Sequence, residues 1–241
     1  MLAGDKSLGC SSWNILTDLI ESNKKKVFVF GSGDGDEEYC NSSGWELAPI
    51  DECDLILARG TFTINDGNTV TSKKDDEENY FSVLQKSLEI AATKKIPMLV
   101  SNPDKVRPDK GLPPMPGAIG DSYETVLGGG KEATLLVKRI GKPFPEVYEL
   151  ALEGNSESLS KTIMVGDALE TDVIGGTNFG CATMWVINDG IHGPTIKEKI
   201  DEEGGSFEKG ISSVLKTFND NKGLMDDAAL SPSFIVPHMR W

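Results

Sequence analysis

Short apolar runs recur along the chain, and nearly all of them stop at Gly, Asp or Asn. They are Val27–Phe30, Leu55–Ala58, Met98–Val100, Thr134–Val137, Thr162–Val165 and Thr183–Ile187. Within each run the hydrophobicity is continuous rather than alternating, which predicts strands covered on both faces, as in a parallel sheet. Helical patterns fall between them. One follows the acidic stretch Asp75–Glu78 and places Tyr80, Leu84, Leu88 and Ala91 on one face before Pro97. Another is expected to start at Pro143, where a missing N–H costs nothing, with Val147, Leu150 and Ala151 turned inward. Strand and helix alternate throughout, so the predicted class is α/β with right-handed crossovers.

The texture changes part-way along. Up to about residue 130 the connections are long and polar, as in Gly31–Gly44, Thr63–Glu78 and Pro103–Gly117, whereas from Lys131 the units become compact. The run Gly128–Lys131 is the expected hinge, dividing the chain into 12–130 and 131–241. The tail Ser231–Trp241, with prolines on either side of Phe234–Val236, reads as a candidate edge segment.

Composition narrows the classes. Thirty-eight acids against 24 bases give a formal net charge of −14 over 241 residues, which repels nucleic acid and anionic membrane surfaces at long range. A small phosphorylated substrate is still allowed, because it needs only a local cation. No apolar run is long enough to span a bilayer, and Met1–Lys6 lacks the apolar stretch of a secretion signal. The cysteines Cys10, Cys40, Cys53 and Cys181 form no C-x-x-C pair, and with two histidines there is no zinc pattern. Reduced packing cysteines in the cytoplasm are the expectation.

The richest segment is Thr162–Asp172. Gly166 ends a buried run and lets the backbone turn, which delivers Asp167 to the carboxyl end of the sheet, where open α/β folds place ligands. A helix starting near Leu169 would carry Thr171 and Asp172 in its first turn. Two carboxylates at one turn suit a hard cation with oxygen ligands, and beside phosphate that cation is Mg²⁺. The competing reading makes Asp167 a helix cap and Asp172 a surface acid. Upstream, Gly141-Lys142-Pro143-Phe144-Pro145 sets a lysine before a proline-started helix, at the same rim, where it can balance carboxylates and a phosphoryl group as a point charge.

The order strand, G-K-P-x-P, helix, strand, G-D-x-x-x-T-D, helix, strand resembles the haloacid dehalogenase-like superfamily. Within it, the pattern is similar to subfamily IIA, the capped phosphatases of the NagD, 4-nitrophenylphosphatase and phosphoglycolate phosphatase type. Ser101-Asn102-Pro103-Asp104 resembles the T/S-N-P-D segment of their α/β cap, and Pro116–Ile119 the P-G-A-G turn after it. Val186–His192 is similar to the stretch beyond the fourth motif. The resemblance runs from about Ser12 to Gly193. It implies a partial Rossmannoid parallel-sheet core (131–241), a separate α/β cap of the C2 type (12–130), and a residual core segment at 1–11 leading into the cap. It further implies Lys142 as the third-motif lysine, Asp167 as the fourth-motif metal ligand, and Asp172 as the second acid, acting directly or by orienting Lys142 or a metal-bound water. Asn102 and Asp104 are then substrate-binding candidates, with turn formation before Pro103 as the equal alternative. The implied reaction is hydrolysis of small phosphorylated metabolites with Mg²⁺, in an enzyme that can pair as a homodimer through its cap.

The family's nucleophile motif, a strand followed by D-x-D-G-[TS], does not occur in these residues. Asp5, in a segment that resembles the T-S-G-D of the cap entry, is not read as that nucleophile. Val27–Asp36 ends in D-x-D, but Asp34 lies beyond a three-residue gap and Glu37-Glu38 stand where G-[TS] belongs, so a polar turn is expected there. Neither a calcium loop, whose sixth-place glycine is Tyr39, nor a dinucleotide loop fits it better. The chain is therefore expected to be either part of a longer phosphatase, inactive by itself, or a non-catalytic relative that binds phosphorylated metabolites. His192 is expected in a surface loop, and His238 carries no signal.

Overall fold

The computed structural model describes residues 13–107, 111–152, 156–203, 206–223 and 229–240. The segment around Asp5 lies outside them. The chain divides into two compact units, one ending at Gly141 and the other beginning at Lys142.

The first unit is a twisted sheet between two helical layers. Its strands are β1 (Lys26–Gly31), β2 (Glu46–Leu47), β3 (Leu55–Ala58), β4 (Thr63–Asn65), β5 (Val70–Ser72), β6 (Met98–Val100) and β7 (Val137–Arg139). The order across the sheet is β5-β4-β1-β3-β6-β7, with β2 on the start of β1. Strands β1, β3, β6 and β7 run parallel, while β4 pairs antiparallel with both β1 and β5. The continuous apolar runs explain the layering. Phe28, Phe30, Ile56, Met98 and Val100 point to one face, packing with Tyr80, Leu88 and Tyr123. Val27, Val29, Leu55, Leu57 and Leu99 point to the other, against Leu16 and Trp45.

The first face is covered by α3 (Glu77–Lys94) and α4 (Pro116–Val126). As the acidic start signal predicts, the Asp76 side chain caps α3 by accepting from the Asn79 N–H at 2.9 Å. Helix α1 (Asn14–Glu21), which carries Leu16, serves the second face; α2 (Asp36–Ser42) follows β1.

One expected strand is different. Residues 134–136 belong to a short helix, α5 (Gly130–Leu136), and only from Val137 does the chain enter β7, which pairs with β6. This strand therefore belongs to the first unit, and the division falls at Gly141, beyond the glycine run. A four-residue apolar run fits a helical turn as readily as a strand, and here Leu135 faces solvent while Ala133 is buried.

The second unit has a three-stranded, all-parallel sheet in the order β10-β9-β8, from β8 (Ile163–Gly166), β9 (Ala182–Val186) and β10 (Phe234–Val236). Around it lie α6 (Pro145–Ala151), α7 (Ile174–Phe179), α8 (Gly193–Glu203) and α9 (Phe207–Lys222). Trp185, Ile187, Ile196, Val214 and Phe218 form its core with Leu169 and Val173. The tail does become an edge strand. Thr183 and Ser233 exchange backbone-to-hydroxyl hydrogen bonds, and Ile187 N–H donates to the Val236 carbonyl. His238 Nδ1 lies 3.0 Å from Asp189 Oδ2, fastening the end.

Helix α6 starts at Pro145, not Pro143, and buries Glu146 and Tyr148 while Leu150 is exposed and Val147 only half-buried. A seven-residue helix is too short for an apolar stripe to decide its orientation. On the far side of the sheet, β8 pairs with nothing beyond β9 among the described residues, and Ile163 on it is 40% exposed.

Candidate active site

The site is assembled around the end of β8. Gly166 is the last strand residue, and a Cβ there would lie 2.1 Å from Asp172 Cγ, so only glycine lets the carboxylate fold back over the strand end. Residues Leu169–Val173 form a single π-helical turn before α7. The Val173 N–H reaches the Ala168 carbonyl, five residues back, at 3.1 Å. The widened turn brings Asp172 under the loop, where its Oδ2 accepts from the N–H groups of Asp167 (3.0 Å) and Ala168 (3.1 Å). Its Oδ1 accepts from Lys142 Nζ at 2.6 Å. Asp172 is 2% exposed, and the Lys142 side chain is 43% exposed. The pair is thus a buried anion holding a cation at the rim.

Asp167 is gripped at three points. Its carbonyl accepts from the Trp185 indole N–H at 3.0 Å, its own N–H is held by Asp172, and its Oδ2 accepts from the Ile191 N–H at 3.1 Å. The last contact depends on Gly190, where a Cβ would stand 2.3 Å from Asp167 Cβ. Oδ1 has no hydrogen-bond partner among the described residues, which leaves it available to a ligand.

The third layer keeps the lysine in place. In α7, Gly175 packs against the start of the Lys142–Tyr148 segment. A Cβ on it would meet Tyr148 Oη at 2.2 Å and Pro143 Cα at 2.8 Å. Tyr148 stacks on Phe179 with centroids 5.1 Å apart, and its hydroxyl is buried without a partner. Burial first, and then the negative charge of Asp172, push that phenol up to about 12.

His192 is not an idle loop residue. Its Nε2 lies 3.0 Å from Glu170 Oε2 and 3.4 Å from the Leu169 N–H. One nitrogen cannot donate to the first and accept from the second; the shorter contact identifies Nε2–H as donor to the carboxylate. Burial raises the Glu170 pKa, but the hydrogen bond and charge of His192 outweigh it, so the carboxyl sits below its ordinary value. With the edge-on packing of His192 against Trp185, this pair clips the loop carrying Ile191 to the π-helical turn.

Of the residues singled out in the sequence, Lys142, Asp167 and Asp172 come together here. Asn102 and Asp104 are in the first unit and shape a turn. Asn102 Oδ1 accepts from the Asp104 N–H at 3.0 Å, and the Asp104 carbonyl accepts from Gly117 N–H. Gly117 is pressed onto the Pro103 carbonyl, where a Cβ would lie 2.1 Å away. Asp36, from the D-x-D stretch, is buried and structural. Its carboxylate accepts from the N–H groups of Ser32 and Gly33, from Thr63 Oγ1 and from Arg59. The sequence missed Tyr148, Trp185 and the Glu170–His192 pair. Only Gly190, in a D-G turn, carried a local signal.

The metal expectation meets a partial donor set. Both oxygens of Asp172 are engaged, which ties it to Lys142 and the loop backbone rather than to a metal ion. Among the described residues no group of three or more His, Cys, Asp or Glu side chains converges to hold a metal. Asp167 Oδ1 is a fitting ligand for a hard ion, but it supplies one of the six oxygens such an ion takes.

Comparison with known proteins agrees with this geometry. The family model described as HAD-hydrolase-like matches residues 139–207, which include Lys142, Asp167 and Asp172. Phosphoglycolate phosphatase 2 of Arabidopsis thaliana is 27% identical over 134 residues, 56% of this chain and 42% of that one. Acid sugar phosphatase of Staphylococcus haemolyticus is 30% identical over 120 residues, 49% of this chain and 43% of that one. The matched stretch thus spans less than half the length of either relative. In structure, p-nitrophenyl phosphatase from Archaeoglobus fulgidus superposes with a TM-score of 0.56 at 19% identity, covering 93% of this chain and 69% of that one. Residues 139–207 thus match the haloacid dehalogenase-like family model, and the fold of the chain is similar to that of p-nitrophenyl phosphatase-type structures.

Proposed function

We propose that these 241 residues are the cap and the second half of the core of a Mg²⁺-dependent, cytoplasmic phosphatase for small phosphorylated metabolites. The observation that carries the proposal is the Lys142–Asp172 pair, 2.6 Å apart, at the same strand end as an Asp167 carboxylate with an oxygen to spare. Lys142 has three donors and only one is spoken for by Asp172, so the others can meet phosphoryl oxygens. Asp172 keeps the ammonium in place and is shielded from solvent, which keeps their attraction strong. Asp167 would hold the ion; a bound Mg²⁺ supplies charge neutralisation for the phosphoryl group.

The aspartate that attacks phosphorus in the family has no counterpart in this sequence. The open edge of β8, half-exposed where β9 is covered, suits one further parallel strand. A strand ending in D-x-D-G-[TS] there would set its carboxylates next to Asp167. Hydrolysis of phosphate monoesters demands barrier reductions well over ~15 kcal/mol, which a lysine and one metal ligand do not provide alone. The first unit, as a cap, would select the substrate and supply the surface for a homodimer.

The test compares this chain with a version extended through the upstream coding sequence, using 4-nitrophenyl phosphate and Mg²⁺. Turnover is expected only in the extended protein, and it should vanish with chelator or with Lys142→Met. An upstream sequence without the D-x-D-G-[TS] motif would sink the proposal. The incomplete donor set around Asp167 favours a second reading, a non-catalytic sensor of phosphorylated metabolites. Saturable Mg²⁺-dependent binding by the extended protein without phosphate release would establish that one instead.

A further inference from the structure

Asp167 presents Oδ1 to a ligand only while its Oδ2 stays on the Ile191 N–H, 3.1 Å away. The loop that carries Ile191, residues 188–192, is fastened at its two ends. The Asn188 N–H donates to the Pro237 carbonyl at 2.9 Å, and the His192 carbonyl accepts from the Ile196 N–H at 3.0 Å as α8 begins. Between these points the Gly190 N–H donates to Ile187 and the Gly193 N–H to Gly190, bonds that fold the loop on itself. They do not tie it to the turn after β8. Among the described residues, two hydrogen bonds make that tie: Ile191 N–H to Asp167 Oδ2, and His192 Nε2–H to Glu170 Oε2 at 3.0 Å.

Together the two bonds close a ring. It runs along the turn from Asp167 to Glu170, across to His192, back one residue to Ile191, and across to Asp167 again. In such a ring each bond holds the partners of the other close together, so losing one weakens the second. Global stability gains little from the Glu170 contact, because that side chain is 42% exposed. The consequence of the contact is local. We propose that Glu170 and His192 are positioning residues for Asp167, which keep the Ile191 N–H on Oδ2 and so fix the oxygen that faces a ligand. What the oriented oxygen serves rests on the phosphatase reading. The ring is measured without metal or substrate, so failure of either idea is distinguishable from failure of the other.

The experiment is NMR on the full 241-residue chain. His192→Asn and His192→Gln both remove the imidazole and its edge-on contact with Trp185, but only Gln places an N–H where Nε2 stands. In His192→Asn, hydrogen exchange of the Ile191 amide should speed up about threefold. The Hα–Hβ couplings of Asp167 should move toward rotamer-averaged values. His192→Gln should restore both to the parent's values, and Glu170→Leu should reproduce the Asn result without adding to it in the double variant. The Ile187 amide, bonded to the Val236 carbonyl, is the control and should not change. Parent-like exchange and couplings in His192→Asn overturn the proposal. So do equal changes in the Asn and Gln variants, which would make packing on Trp185 the cause, or faster exchange that extends to Ile187.

Discussion

Gly175→Ala tests whether α7 sets the position of Lys142. The new methyl carbon would sit 2.2 Å from Tyr148 Oη and 2.8 Å from Pro143 Cα, closer than real side-chain carbons come. Neither neighbour is a loose end, because Tyr148 is stacked on Phe179 and Pro143 is backbone next to the lysine. Overpacking of this kind costs up to ~3 kcal/mol, and the better helix propensity of Ala over Gly returns about 1, leaving a net loss of about 2 kcal/mol. Tyr148→Phe alone should change stability by less than ~0.5 kcal/mol, since its hydroxyl is buried and unpaired and its removal strands nothing. In the double variant the oxygen clash disappears and the backbone clash persists, so the loss should shrink to about 1 kcal/mol. The coupling in a double-mutant cycle is then about 1 kcal/mol in the rescuing direction. Urea unfolding followed through the indole N–H resonance of Trp185 reads it directly, because that proton donates to Asp167 within the loop. Additive single effects, or a Gly175→Ala variant as stable as the parent, would refute the packing argument and with it the claim that this glycine holds the lysine against Asp172.

Asp36→Asn should cost the first unit about 3–5 kcal/mol in urea unfolding, because a buried carboxylate with four donors, Arg59 among them, is replaced by a group that presents an amide to a guanidinium. Burial pushes the thiols of Cys40 and Cys53 up to about 11 and about 12, so their thiolate fractions at pH 8 are on the order of 10⁻³ and 10⁻⁴. Site-resolved labelling with DTNB should run at least ~100-fold slower in the folded protein than in urea. Glu170, held below its usual 4.5, stabilises the second unit above that pH and loses its contribution as pH falls through the lowered folded value. Glu170→Gln should remove that acid-limb slope, an effect under ~1 kcal/mol for a pair this exposed, measured as melting temperature between pH 3 and 6.

The legible parts of the chain were those where one local signal was enough. Val27–Phe30, Leu55–Ala58 and Met98–Val100 are strands whose every residue is buried, because the sheet is covered on both faces. The same holds for α3, where the Asp76 cap and the Tyr80–Leu88–Ala91 stripe agree. In the candidate site, the elements bearing Lys142, Asp167 and Asp172 followed from the Gly and Pro punctuation around them. What stayed hidden depended on contacts distant in sequence. The apolar run at Thr134–Val137 changes from helix to strand in mid-run because β6 pairs only with its end. Tyr148 matters only because Gly175, far along the chain, leaves it room. The π-helical turn has no period in the sequence, since it arises from Asp172 folding back to collect two loop N–H groups.

The two units solve the same local problem in nearly the same way, and the comparison separates a structural acid from a candidate site. In each, a glycine ends a parallel strand, and a Cβ on it would collide with a carboxylate: Gly31 with Asp36, Gly166 with Asp172. Each carboxylate accepts from two successive loop N–H groups and from one cation, Arg59 at 2.8 Å or Lys142 at 2.6 Å. A buried Asp–cation pair after a strand is therefore no mark of chemistry in this fold; it is how a tight turn satisfies its own backbone. The first unit stops there. Its guanidinium is laid over the Tyr39 ring, and the neighbouring Asp34 is exposed. In the second unit the widened turn frees one more carboxylate. Asp167, held by Trp185, Ile191 and Asp172, keeps an oxygen unspent beside an ammonium with donors unspent. The phosphate chemistry we propose would draw on that surplus, which the D-x-D stretch at Asp34–Asp36 lacks and the G-D at Gly166-Asp167 has.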